Sequence, residues 1–184
     1  ISLTDFPTRL PLQSANGGGY DAFVARINAA GTSLGFSTYL GGSGGTAAAG
    51  EAATGIALDA SGNIFVAGHT SSRNFPVRNA YQSTYRGGTT DGFLVKLAPA
   101  GTSVLFGSYF GGSALDYIMA LTVDSGGMPV AAGYTASSDL PVAGPAQGAK
   151  AGGYDAFVTR FNAAGSALDF CTYLGGADSD TASA

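Results

Sequence analysis

"GGYDAFVTRFNAAGSALDFCTYLGG" at 152–176 rewrites "GGYDAFVARINAAGTSLGFSTYLGG" at 18–42, and "GTTDGFLVKLAPAGTSVLFGSYFGG" at 88–112 is a third copy. In each, an aspartate (Asp21, Asp91, Asp155) precedes an aromatic-led strand. In each, a tyrosine (Tyr39, Tyr109, Tyr173) opens a Tyr-Leu/Phe-Gly-Gly motif. The spacings are 70 and then 64 residues. Self-similarity at such a period marks a repeat architecture, and it takes precedence over local propensity.

Further landmarks keep the same phase. "GIALDASGNIFVAGHT" (55–70) matches "ALTVDSGGMPVAAGYT" (120–135), and "DFP" at 5–7, "NFP" at 74–76 and "DLP" at 139–141 correspond. One full unit runs from Gly41 to Phe110. Ala53–Ala60 reads as a strand, Asp59 to Asn63 as a turn, and Ile64–His69 as a β-branched, aromatic strand, so the pair predicts a hairpin. A long connection, 71–90, follows; Phe93–Leu97 and Val104–Phe110 complete four short antiparallel strands. Helical periodicity is not sustained anywhere.

These strands are too apolar for a sheet with one wet face. In "DGFLVKL", Phe93, Val95 and Leu97 share one side while Leu94 offers an apolar group to the other, interrupted by Lys96; Arg26 and Arg160 hold the same place in the other copies. Sheets apolar on both faces need neighbours on both faces. Radial stacking of four-stranded blades supplies them. A β-solenoid is the competitor, but its coils need only about 20–30 residues each, so the longer unit favours a blade. The expected fold is therefore all-β, a β-propeller of four-stranded antiparallel blades. Residues 1–40 form a partial blade, 41–110 and 111–174 full blades, and 175–184 the start of the next.

The run from "GIALDASGNIFVAGHTSSRNFP" through "GSYFGG" closely resembles the SBBP repeat, a bacterial and archaeal β-propeller repeat. The resemblance covers nearly the whole chain. It implies a propeller of roughly seven blades in a large exported or cell-surface protein, and no catalytic residues. The third unit departs in carrying Pro129 at a strand start, where a missing N–H does least damage. In phase, Ile1 aligns with Thr70 and Ala184 with Gly50, so the chain holds three units less one hairpin. Three blades do not close a ring; the expected partners are other blades of a longer chain or further copies of this one, with filament or ring formation through unpaired strand edges.

Composition narrows the partners. The 184 residues carry only 8 Lys plus Arg against 12 Asp plus Glu, with 30 Gly and a pI of about 4.6. A nucleic-acid binder would show a basic face. No apolar run approaches the ~20 residues of a membrane helix. Cys171 is the sole cysteine; Ser37 and Gly107 take its place in the other copies, which reads as a small packed side chain.

Candidate chemistry carries a bland reading beside each sharp one. Asp21, Asp91 and Asp155 would serve as calcium ligands, or would accept backbone N–H bonds at a strand entrance, and their recurrence in every blade favours structure. Calcium is the one ion considered; no other cofactor is expected. Asp59 and Asp124 belong to hairpin turns. Asp178 and Asp180, with Asp116 in the matching connection, read as a solvated turn between blades. His69, matched by Tyr134, reads as a packed or rim side chain. The "GGSGG" (41–45) and "NGGG" (16–19) stretches lack the lysine and helix of a phosphate loop. The best ligand-binding candidates are Arg73, Arg78, Tyr81, Tyr85 and Arg86 in the 71–90 connection, since loops carry function on rigid scaffolds.

Two functions fit. The first is a non-catalytic module for adhesion, assembly or protein/carbohydrate interaction. The second is a propeller lyase or glycoside hydrolase, which needs paired carboxylates, with its catalytic groups on blades beyond this segment. One Glu and one His leave the segment itself poorly supplied, so no enzyme activity is expected of it.

Overall fold

A computed structural model describes residues 5–44 and 50–183. Ile1, Gly45 and Ala184, on which parts of the phase and Gly-rich readings fall, lie outside them. The described residues form ten strands: β1 (Ala22–Ile27), β2 (Leu34–Leu40), β3 (Ala52–Leu58), β4 (Ile64–Thr70), β5 (Asp91–Leu97), β6 (Val104–Phe110), β7 (Asp116–Val123), β8 (Pro129–Thr135), β9 (Asp155–Phe161) and β10 (Leu168–Leu174). They pair as one two-stranded sheet, β1-β2, and two four-stranded antiparallel meanders, β3-β4-β5-β6 and β7-β8-β9-β10. Each meander is a propeller blade, the first spanning Ala52–Phe110 and the second Asp116–Leu174. Strand edges shift by a residue or two: β3 starts at Ala52 and stops at Leu58, and β5 opens on Asp91 itself. No helix among them is long and apolar enough to cross a membrane.

The two-faced apolar pattern has a direct outcome. Alternate residues of one strand enter different cores because strand side chains alternate in direction. Ile64 and Val66 join a cluster with Val24, Phe36 and Leu40 of β1-β2, whereas Phe65 and Ala67 join one with Ile118, Phe157 and Phe161 of the last blade. In β5, Phe93, Val95 and Leu97 take the first side and Leu94 the second. The core is therefore laid between blades. Burying each large side chain this way contributes about 1.5–3 kcal/mol.

The hairpin turns follow their chemistry. Asp59 Oδ1 accepts from the N–H of Ser61 (3.0 Å) and Asn63 (2.9 Å), and Asp124 Oδ1 from Gly126 and Met128 (both 2.9 Å). Lys96, the charge that broke the apolar side of β5, reaches Asp59 at 3.1 Å and lies over the Phe65 ring. Arg160 makes the same reach to Asp124 at 3.7 Å.

The 71–90 connection is more than a loop. Arg78 exchanges two backbone bonds with Gly107 (2.9 and 2.8 Å), and the Tyr109 N–H donates to the Gln82 carbonyl (3.1 Å), so the segment runs as a strap along the outer edge of β6. Straps at Arg9 on Ser37 and Ala143 on Cys171 repeat the arrangement. Each covers a strand edge that would otherwise invite pairing.

Candidate binding surface and the buried polar network

The straps are pinned by the repeated tyrosines. The Tyr109 hydroxyl donates to the Ser72 carbonyl (2.8 Å) and accepts from the Phe75 N–H (2.9 Å); Tyr173 does the same with Ser137 (2.9 Å) and Leu140 (3.0 Å). The ring of Phe75, from the Phe-Pro landmark, stacks on Phe93 at 4.5 Å. A crossing strap leaves room only for small groups below it, which explains Ser37, Gly107 and Cys171 at one position. A side chain on Gly107 would meet the Pro76 carbonyl at 2.7 Å. Cys171 is buried, and burial pushes its thiol up to about 12.

The five strap candidates do not form one site. The exposed Arg73 guanidinium lies 5.8 Å over the Tyr85 ring, on the rim of a depression of about 440 Å³ lined also by Ser43, Gly44, Ser71 and Asn74. Tyr85 packs edge-on against Tyr109 and donates to Gly88 O at 3.1 Å; burial, then the Asp91 carboxylate, pushes its hydroxyl up to about 12. Tyr81 turns toward the next blade, edge-on to Phe161 at 6.0 Å, and its N–H donates to Gly165 O. Arg78 holds β6 through its backbone, and the Arg86 N–H donates to Asp91 Oδ2 at 2.8 Å. Arg73 and Tyr85 thus meet, while Arg78, Tyr81 and Arg86 serve strap, blade junction and strand entrance.

A glutamine missed in the sequence completes each strand entrance. Gln82 Nε2 donates to Asp91 Oδ2 (3.1 Å) while its Oε1 accepts from the Gly111 N–H (3.1 Å). Gln13 with Asp21 and Gly41, and Gln147 with Asp155 and Gly175, repeat the bridge. The signal was present: a glutamine precedes each aspartate by eight or nine residues. Asp155 accepts three bonds, from the Ala151 N–H (2.9 Å), the Gly152 N–H (2.8 Å) and Gln147 Nε2 (3.0 Å). These N–H donors satisfy the carboxylate at the strand entrance. No group of three His, Cys, Asp or Glu side chains suited to a metal ion occurs among the described residues.

Asp116 departs from the expectation of a solvated turn. It opens β7, is fully buried, and accepts from the Thr135 hydroxyl, the Gly112 N–H (2.8 Å) and the Ser137 hydroxyl (2.9 Å). Glu51 holds the same place in the preceding blade and accepts from Thr70 Oγ1 at 2.7 Å. Asp180 accepts from the Gly176 N–H at 2.7 Å, four residues back as Asp116 does from Gly112; Asp178 is exposed. His69 packs on Tyr117 at 4.0 Å, Tyr117 stacks on Tyr134 at 5.2 Å, and Tyr154 meets Tyr134 edge-on. Burial holds the imidazole down to about 4, so it is neutral at physiological pH.

Sequential four-stranded meanders with cores between them define propeller blades, and the family comparison agrees. Residues 35–76 match the SBBP beta-propeller repeat. The match runs from Gly35 in β2, across the Gly-Gly corner and the β3-β4 hairpin, to Pro76 in the strap. The matched stretch therefore spans the junction from the β1-β2 sheet to the β3-β4-β5-β6 blade. No curated protein matches the chain.

Proposed function

We propose that this chain is a non-catalytic propeller module of an exported or cell-surface bacterial protein, binding a protein or glycan ligand and stacking against further blades. One observation carries the non-catalytic part. The carboxylates with the most enzyme-like ionisation, Asp91 and Asp116, are fully buried between blades, where no polymer chain reaches them. A glycosidase needs its two carboxylates on opposite sides of a bound sugar. The ligand reading rests on the open depression lined by Arg73, whose guanidinium lies over Tyr85, an Arg-aromatic pair of the kind enriched in interfaces. Export rests on the SBBP resemblance, and surface labelling of the native cells tests it.

The decisive experiment pairs a glycan and protein-ligand array with a polysaccharide hydrolysis panel. Binding without turnover, lost in Arg73→Ala with the melting temperature unchanged, supports the proposal. Turnover of any sugar polymer overturns it.

A further inference from the structure

The sheet β1-β2 has one edge that its counterparts do not. β5 pairs with β4 on one side and β6 on the other, and β9 pairs with β8 and β10, whereas β1 pairs with β2 alone among the described residues. Beside that edge lies an apolar groove of about 430 Å³, lined by Val24, Phe36, Ile56, Leu58, Ile64 and Pro99.

One blade further on, the same place is filled. Phe65 of the β3-β4 hairpin is buried there against Phe106, the counterpart of Phe36, at 6.1 Å. Leu121 and Val123 pack against that cluster. Their counterparts Ile56 and Leu58, facing the groove, are 61% and 64% exposed. Charge tells the same story. Lys96 and Arg160 each reach the aspartate in their own hairpin's turn, Asp59 and Asp124. Arg26, their counterpart, has no carboxylate partner among the described residues, and its Nη1 donates to the Pro99 carbonyl at 3.1 Å. The register fits as well: the last hairpin residue, Thr70 or Thr135, pairs with the strand-entrance Asp91 or Asp155, which would set the last residue of a docked hairpin opposite Asp21.

We propose that this groove is the docking site for a β-hairpin of the SBBP pattern from a further repeat unit, pairing along β1, filling the groove with a bulky side chain at the Phe65 position and meeting Arg26 with the aspartate of its turn. The inference rests on the reading of the chain as a module that stacks against further blades. A second copy is a poorer occupant, since both of its hairpins are already paired within their own sheets.

The test uses a labelled synthetic peptide of residues 50–72 and the 184-residue chain. Saturable one-to-one binding is expected. Arg26→Glu weakens it about tenfold, and a peptide carrying Asp59→Lys restores binding to that variant, as expected of a close charge pair. Because a free hairpin can fail to fold, a second protein carries residues 50–69 fused ahead of Ile1, which aligns in phase with Thr70. Its β1 amides, Ala22–Ile27, should exchange more slowly and its melting temperature should rise. Unchanged exchange in the fusion overturns the proposal, as does a dimer of the parent chain that protects the same amides. Neither result touches the ligand assay, which reads the depression at Arg73, beyond the opposite end of β4 from the Asp59 turn.

Discussion

Asp91 and Asp116, from neighbouring blades, converge on Gly111: the point where a Cβ would sit on that glycine is 3.1 Å from Asp91 Cγ and 2.6 Å from Asp116 Oδ2. A side chain there has no room, and the two carboxyls share a buried junction. Burial, reinforced for Asp91 by the Asp116 charge, pushes them up to about 7 and about 6.

This pair makes stability fall as pH rises. The unfolded carboxyls ionise near 3.8, the folded ones only near neutrality, so the folded state holds more protons between those values. Their contribution is complete below the unfolded value and is lost as pH passes through about 6 to 7. Groups held low, such as Asp59 at about 2, have finished titrating by then. The melting temperature should be lower at about pH 8 than at about pH 6.5, and Asp91→Asn should remove most of the difference, on the order of 1 kcal/mol. A flat profile in the parent chain would refute this.

His69 works with the opposite sign in a lower window. Its folded value of about 4 lies below the unfolded 6.5, so the unfolded state binds the extra proton. The stability it permits is present above the unfolded value and lost as pH falls toward about 4. His69→Tyr, which installs the residue found at Tyr134, should reduce acid sensitivity between those two values, read by chemical denaturation across pH.

Tyr109→Phe should cost about 1–3 kcal/mol, because it strands the buried Ser72 carbonyl and Phe75 N–H. Urea denaturation reads the loss, and limited proteolysis should cut first within the released strap, 71–90.

Two glycines of the same motif should respond differently. Gly165 has φ +70°, and a Cβ there would collide with the Phe106 ring of the preceding blade; Gly31 has φ +73° and nothing within 4 Å. Gly165→Ala should destabilise by about 3 kcal/mol and Gly31→Ala by about 1 kcal/mol, the strain of a left-handed backbone alone. Equal costs would mean that the turn does not wedge against its neighbour.

Local chemistry made much of this legible. The period, the hairpin turns at Asp59 and Asp124, and the two-faced strands are readable because side-chain alternation and turn propensity act over a few residues. The strap was not, since residues 74–82 show no strand pattern and pair only through isolated bridges at Arg78 and Gln82. For the same reason the candidates Arg78, Tyr81 and Arg86 looked like one surface with Arg73 and Tyr85, while the fold sends them to different neighbours.

The sequence by itself determined that the chain is a series of antiparallel four-stranded units with apolar groups on both sides, because strand formation and burial pattern are written in residue order. Only the tertiary structure decided which groups meet between units: Asp91 with Asp116, Gly165 with Phe106, and Arg26 with no acid among the described residues. Those encounters depend on how one blade is rotated and stacked on the next, a relation that no local pattern encodes.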